Sequence, residues 1–381
     1  MRKPWKNRPQ PDNAPSEKEA PDEVITREFT GVGSLLQLQS MDADTVIQTG
    51  GETLSVTVTG RQSKLDKLVI DETNGLSITS QRPKINISLT INGKSIWRLL
   101  FELFFTTKTV EQVINCEDKH KLKIVATVPA GTDLLLTDYD GSLEANGVYG
   151  EVNARVSYDT TLRLDRLTTL DVNSDSGLDL TVQNMEGNAH INTSYDSKVK
   201  ILGGVIGECD VRTDSGADVL IKARCSEVTA KGSYDCTFRF GTITRLKVDA
   251  DSGARIYFDC DEANQVEIET SYDSVVTGTG KTRRAIVRTD SGCSVTLGEV
   301  TDRFEARCSY DCKVVTTAGE GTRYVMVHMD SGADVQLIGH IREGLITTSY
   351  DSSVLVGILG SGVRTNFDGE TNLSTGYMSV N

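Results

Sequence analysis

"TSYDSVVTGTGKTRRAIVRTDSGCSVTLG", Thr270–Gly298, states one pattern twice. The "SYD" of its first half is answered by "DSG" in the second, with Asp273 and Gly292 19 residues apart. Three residues beyond each stands a valine, Val276 and Val295. Self-similarity at a fixed period of this size is the mark of a repeat architecture.

Taking the Asp of "SYD" or the Gly of "DSG" as position 0, the units fall at Asp140, Asp159, Gly177, Asp196, Gly216, Asp235, Gly253, Asp273, Gly292, Asp311, Gly332 and Asp351, with Asp368 closing the series. Position +3, from Leu143 to Val354, and position −5, from Leu135 to Ile346, are apolar at all twelve units before Asp368. In a chain that is 38 % hydrophobic, chance gives such a column about once in 10⁵. Polar residues such as Asp179, Lys198 and Asp218 fill position +2, so the pattern alternates as a half-buried strand does. One unit is therefore strand, sharp bend, strand and short loop. It cannot bury its apolar face alone, and stacked copies can. The expected fold is all-β: a single-stranded parallel β-helix with about 19 residues per rung and about 13 rungs, roughly 60 Å long at ~4.8 Å per rung.

The alternation itself has a stacking explanation. Gly suits a bend that needs positive φ, and Asp is among the few other residues that tolerate one. Position −1 alternates Tyr158, Ser176, Tyr195, Ser215, Tyr234, Ser252, Tyr272, Ser291, Tyr310, Ser331 and Tyr350, so no large side chain lies directly above another. The carboxylates zigzag as well. Stacked ~4.8 Å apart they would repel by about 0.9 kcal/mol in water, and alternating between positions −2 and 0 separates them further. Position +1 is a column of small residues apart from Leu178, and it includes Cys236, Cys293 and Cys312. With Cys308 and Cys209 in other inward columns, the thiols read as small core residues rather than as disulfides or metal ligands, although Cys293 and Cys312 on adjacent rungs could cross-link. Cys308 and Cys312 have no second ligand pair nearby, so no zinc site is expected.

The 381 residues carry 40 basic and 54 acidic side chains, a net charge of −14, which argues against nucleic acid as a partner. No run of about 18 apolar residues is present, so no spanning helix is expected. "MRKPWKNRPQPDNAPSEKEAPDE" lacks an apolar centre and reads as a disordered tail over 1–24, not as a signal peptide. A cytoplasmic location follows from that reading, with the cell envelope or surface by a non-standard route as the alternative. Residues 25–93 read as N-terminal β rungs in poorer register, 94–120 as an insertion, and 121–381 as the regular solenoid.

"REFTGVGSLLQLQS", "IVATVPAGTDLLLTDYDG" and the "DSGADV" rungs occur in an order that resembles the bacterial putative-adhesin β-solenoid domains related to the head GIN domain. The resemblance spans about residues 25 to 370. It implies a right-handed β-helix and a binding or structural role, with no catalytic residue to carry over. Two features depart from that family: "SYD" replaces every second "SG" unit, and no export signal is visible.

"KSIWRLLFELFFTTKT" (94–109) breaks the strand pattern. Lys94, Arg98 and Glu102 share one helical stripe, while Trp97, Leu100, Phe101, Phe104 and Phe105 cover the rest. A short amphipathic helix is expected here. It could cap an end or seam of the solenoid, dock a partner or a second copy, or lie on a membrane surface through 94–105.

No carboxylate is singled out, since every rung carries one, and the four histidines are scattered. No enzyme activity, cofactor, catalytic residue or metal ligand is therefore expected. The reading is a non-enzymatic, adhesin-like or structural scaffold that binds protein or surface partners, homo-oligomers included. Its interaction candidates are Trp97, Phe101, Phe104, Phe105, Tyr195, Tyr234, Tyr272 and Tyr310. The alternatives are a self-assembling filament or shell component of bactofilin type and, less favoured, a polysaccharide-active β-helix enzyme.

Overall fold

Like stacks on like from rung to rung. Position +2 pairs in register from Asp179 through Lys198, Asp218, Thr237, Arg255, Val275, Ser294, Lys313 and Asp334 to Ser353, always in parallel. Position −5 does the same from Val172 to Ile346. These two ladders form the walls of a β-solenoid of about 12 turns. The structure, a computed structural model, describes residues 23–81, 121–368 and 372–375.

Every residue of the +3 column is buried. Size matching closes the core between rungs and within one: a Cβ on Gly278 would stand 2.3 Å from the Phe258 ring of the neighbouring rung, and one on Gly232 would stand 2.4 Å from Phe238 across its own bend. Each glycine thus makes room for a neighbouring phenylalanine, as close packing requires. The −5 column is buried from Ala154 onward, but Leu135 is not. At the first bend, "DYDG", the inward alternation is offset by one residue. Leu134 and Leu136 point inward there, and buried Tyr139 places its hydroxyl within 2.8–2.9 Å of Ala43 O, Thr45 Oγ1 and Ser142 O. The expected inward place of Leu135 is corrected by one residue.

The N-terminal region follows a different chain order from the simple rungs expected for 25–93. Strands β1 (Val24–Gly31), β2 (Leu35–Gln39), β3 (Asp42–Thr49) and β4 (Leu54–Arg61) are followed by a one-turn helix, α1 (Gln62–Leu65). Next come β5 (Leu68–Asp71), β6 (Leu76–Ser80), β7 (Leu122–Val128) and the long β8 (Thr132–Val156). The β2–β3 rung is sandwiched: β2 pairs with β6 and β8, and β3 with β7 and β8, all parallel. Beyond it, β4 lies antiparallel on β7, β1 antiparallel on β4, and β5 antiparallel on β6. Antiparallel strands therefore cover this end, with Ile25, Phe29, Leu68 and Ile70 packed on the core. Arg27 fastens the cover by donating to Leu65 O at 2.9 Å and pairing with Asp66. Strand β6 ends beside the bend at Ser40, with Thr79 opposite Gln39, and β7 begins beyond it, with Leu122 opposite Ala43. The expected helix, with Trp97, Phe101, Phe104 and Phe105, lies outside the described residues, as do Cys116 and nearly all of the 1–24 tail.

The seven described cysteines are free and buried. Burial pushes the Cys260 thiol up to about 11 and the Cys308 thiol up to about 12. Burial also raises the phenols of Tyr139 and Tyr149 above their ordinary value. The unfolded chain therefore loses these protons first as pH rises. The corresponding stability is complete below about pH 9, the usual thiol range, and declines as pH climbs through 11 and 12. Urea unfolding should show a midpoint that falls steadily above pH 9, with a shallower fall in Cys260→Ala/Cys308→Ala. An equally steep alkaline limb in the double variant would contradict this assignment.

Candidate interaction surface

Each bend turns on two consecutive residues in the left-handed region. From Tyr195 to Asp351, positions −1 and 0 both have positive φ at every rung, for example Tyr234 at 47° with Asp235 at 61°, and Ser252 at 55° with Gly253 at 81°. This geometry aims the amide at position 0 along the solenoid axis. Asp235 N donates to Ser252 O at 3.1 Å, Gly253 N to Tyr272 O at 2.8 Å, Asp273 N to Ser291 O at 3.0 Å and Gly292 N to Tyr310 O at 2.9 Å. The backbone ladder thus continues around the corner and leaves few bend amides to be satisfied separately.

Side chains complete the bend in a two-rung cycle. In "SYD" rungs the residue at +1 donates back across the turn to the carbonyl at −2: Ser197 to Ser194 O at 2.9 Å, Cys236 to Ser233 O at 2.8 Å, Ser274 to Ser271 O at 2.8 Å and Ser352 to Ser349 O at 2.7 Å. In "DSG" rungs the same position is Leu178, Ala217, Ala254 or Ala333, which have no side-chain donor, and Cys293, whose thiol reaches Asp290 O at 3.1 Å. The serine at −2 of an "SYD" rung donates to the aspartate of the preceding "DSG" rung, as in Ser233 to Asp214 at 2.8 Å and Ser271 to Asp251 at 2.7 Å. The "SYD" aspartate lies over the next glycine: a Cβ on Gly292 would meet Asp273 Oδ1 at 2.5 Å, and one on Gly332 would meet Asp311 Oδ1 at 2.5 Å. Glycine is thus required at these positions both by φ and by the carboxylate beneath. Alternation is the packing solution, with each motif shaped to receive the other.

At this corner Tyr158, Tyr195, Tyr234, Tyr272, Tyr310 and Tyr350 project outward, each 58–67 % exposed. They form one column on every second rung, interleaved with one aspartate per rung from Asp159 to Asp351. A groove runs beside them between positions −4 and −2. One stretch, of about 310 Å³, is bordered by Arg212, Lys231 and Asp249, and a larger one, of about 610 Å³, by Asp249, Glu269, Arg288 and Arg307. The wall charges largely neutralise one another: Lys231 lies 3.4 Å from Asp249, and Arg288 lies 2.8 Å from Glu269. The geometry suits binding along a line rather than chemistry at a point. Among the described residues, no group of three or more His, Cys, Asp or Glu is placed to hold a metal ion, and no helix is long and apolar enough to cross a membrane.

Of the sequence-derived candidates, Tyr195, Tyr234, Tyr272 and Tyr310 come together in this column, joined by Tyr158 and Tyr350, which share their motif position. The hydrogen-bond donors at +1 were not anticipated, although the alternation of Ser or Cys with Ala was their visible signal.

A family model described as Toastrack DUF4097 matches residues 34–297, more than half of the chain. No curated protein matches. Among solved structures, a putative adhesin from Parabacteroides distasonis is 10 % identical, covering 92 % of this chain and 98 % of its own, with a TM-score of 0.25. A putative adhesin from Parabacteroides merdae is 9 % identical, covering 93 % and 97 %, with a TM-score of 0.23.

A large side chain at positive φ costs of order 1–3 kcal/mol, and an exposed ring recovers little of that through burial. Asn tolerates the left-handed region better. Tyr234→Asn and Tyr272→Asn should therefore leave the unfolding free energy unchanged or raise it by up to about 1 kcal/mol, measured by urea denaturation. A loss above about 2 kcal/mol would show that the rings are there to hold the fold.

Proposed function

The chain belongs to the Toastrack DUF4097 family, and on that premise we propose that it is a non-enzymatic, adhesin-like scaffold that binds a partner along its bend-lined corner. The observation that carries this reading is the column of six exposed tyrosines, one on every second rung, held on left-handed or adjacent bend backbone. Aromatic residues are enriched where protein surfaces make contacts, since they offer large, rigid area at low entropic cost. A solenoid multiplies that contact at a fixed interval. Its closed core and paired wall charges supply rigidity, and the corner supplies recognition.

The test compares the full chain with Tyr195→Asn/Tyr234→Asn/Tyr272→Asn/Tyr310→Asn on arrays of immobilised peptides and glycans, with electron microscopy of both proteins. Retention of the parent on a defined class of ligand, lost in the folded quadruple variant, is the expected result. Equal retention by both would remove the corner as the binding surface. Filaments formed equally by both proteins, with no ligand retained, would favour the self-assembling structural element instead.

A further inference from the structure

The corner has a chemistry and a period of its own. None of its eleven carboxylates, from Asp159 to Asp351, is ion-paired among the described residues, whereas acids elsewhere on the walls are, as in Arg163–Asp179 at 2.9 Å and Arg239–Asp218 at 2.5 Å. Elsewhere the chain sets guanidinium groups over tyrosine rings, Arg239 over Tyr257 at 5.8 Å and Arg303 over Tyr324 at 5.1 Å. None of the six corner tyrosines has such a cation among the described residues. The ridge therefore presents repeated pairs of an open aromatic face and an uncompensated carboxylate, which together complement a cation.

The repeat distance selects the conformation of the ligand. Tyrosines recur every two rungs, about 9.6 Å at the usual strand spacing. A polyproline II helix advances three residues, or about 9.3 Å, per turn. One face of that helix therefore meets one tyrosine per turn, with a mismatch of roughly 0.3 Å that side chains can absorb. An extended strand presents one face every ~6.7 Å and an α-helix repeats every ~5.4 Å, so both fall out of step within two tyrosines. We propose that the corner receives a proline-rich, cationic segment of a partner protein in polyproline II conformation, with one Lys or Arg per turn lodged at each Tyr–Asp pair. This deepens the scaffold reading above and rests on it. Docking of proline-rich segments on aromatic-lined surfaces is an established mode of peptide recognition, because the ligand is already ordered.

Fluorescence anisotropy with the full chain and a labelled (Pro-Pro-Lys)5 peptide tests the proposal. Saturable binding is expected, weakening as salt is raised. (Pro-Pro-Glu)5 should not bind. (Gly-Gly-Lys)5, with the same charges and no stiffness, should bind about tenfold more weakly. Tyr195→Asn/Tyr234→Asn/Tyr272→Asn/Tyr310→Asn, which keeps the left-handed bends, should lose about tenfold or more, while Tyr257→Ala on the adjoining wall should match the parent. Equal binding of the two lysine peptides, or an unaffected quadruple variant, would reduce the interaction to charge and overturn the proposal. Tyrosine-dependent retention of a linear neutral polysaccharide with no peptide binding would overturn this inference and leave the scaffold reading standing.

Discussion

The hydrogen bond from the amide at position 0 to the carbonyl at position −1 of the next rung is the contact on which the solenoid depends. A parallel stack needs a turn at every rung, and a turn ordinarily breaks the ladder and leaves amides to be satisfied one by one. Here two left-handed residues rotate the bend amide onto the axis, as in Gly253 N to Tyr272 O at 2.8 Å. The register of both walls is then carried through the corner, and like residues stack on like for the length of the array. The inward columns at +3 and −5 can be uniformly apolar because no rung slips against its neighbour.

The two-motif alternation follows from the same constraint. Left-handed backbone admits few residues, and a carboxylate on one rung must lie over something small on the next. Asp273 over Gly292 is one instance and Asp311 over Gly332 another. The "SYD" bends, which lack glycine, are braced by a hydroxyl or thiol at +1, and the "DSG" bends with Leu178, Ala217, Ala254 or Ala333 there dispense with it. This accounts for three of the cysteines as well as for the serines of that column: Cys236 and Cys312 stand at +1 of "SYD" bends and Cys293 at +1 of a "DSG" bend, where its thiol reaches Asp290 O at 3.1 Å.

The apolar columns at +3 and −5 made the solenoid legible because a strict period of two leaves only one face to bury. The pattern failed where the local count changes: at "DYDG" the alternation is offset by one residue, with Leu135 outward and Tyr139 inward. The N-terminal chain order was not legible. The antiparallel strands β1 and β4 carry the same alternation as parallel ones, and nothing in periodicity tells which rung a strand will pair with. The corner tyrosines were visible as a column, but their outward direction was not, since the sign of φ at a bend reverses where a side chain points. Only the left-handed backbone at Tyr195, Tyr234, Tyr272, Tyr310 and Tyr350 resolves it. A fold built only for stability would place Asn or Gly there, so retention of strained, exposed aromatics directs attention to what they touch.

Residue-resolved amide hydrogen exchange tests the bend ladder most directly. The position-0 amides of Asp235, Gly253, Asp273 and Gly292 should be protected to the same degree as the wall amides of Val276 and Val295. Exchange of these bend amides at the rate of unbonded turn amides, with the walls still protected, would contradict it.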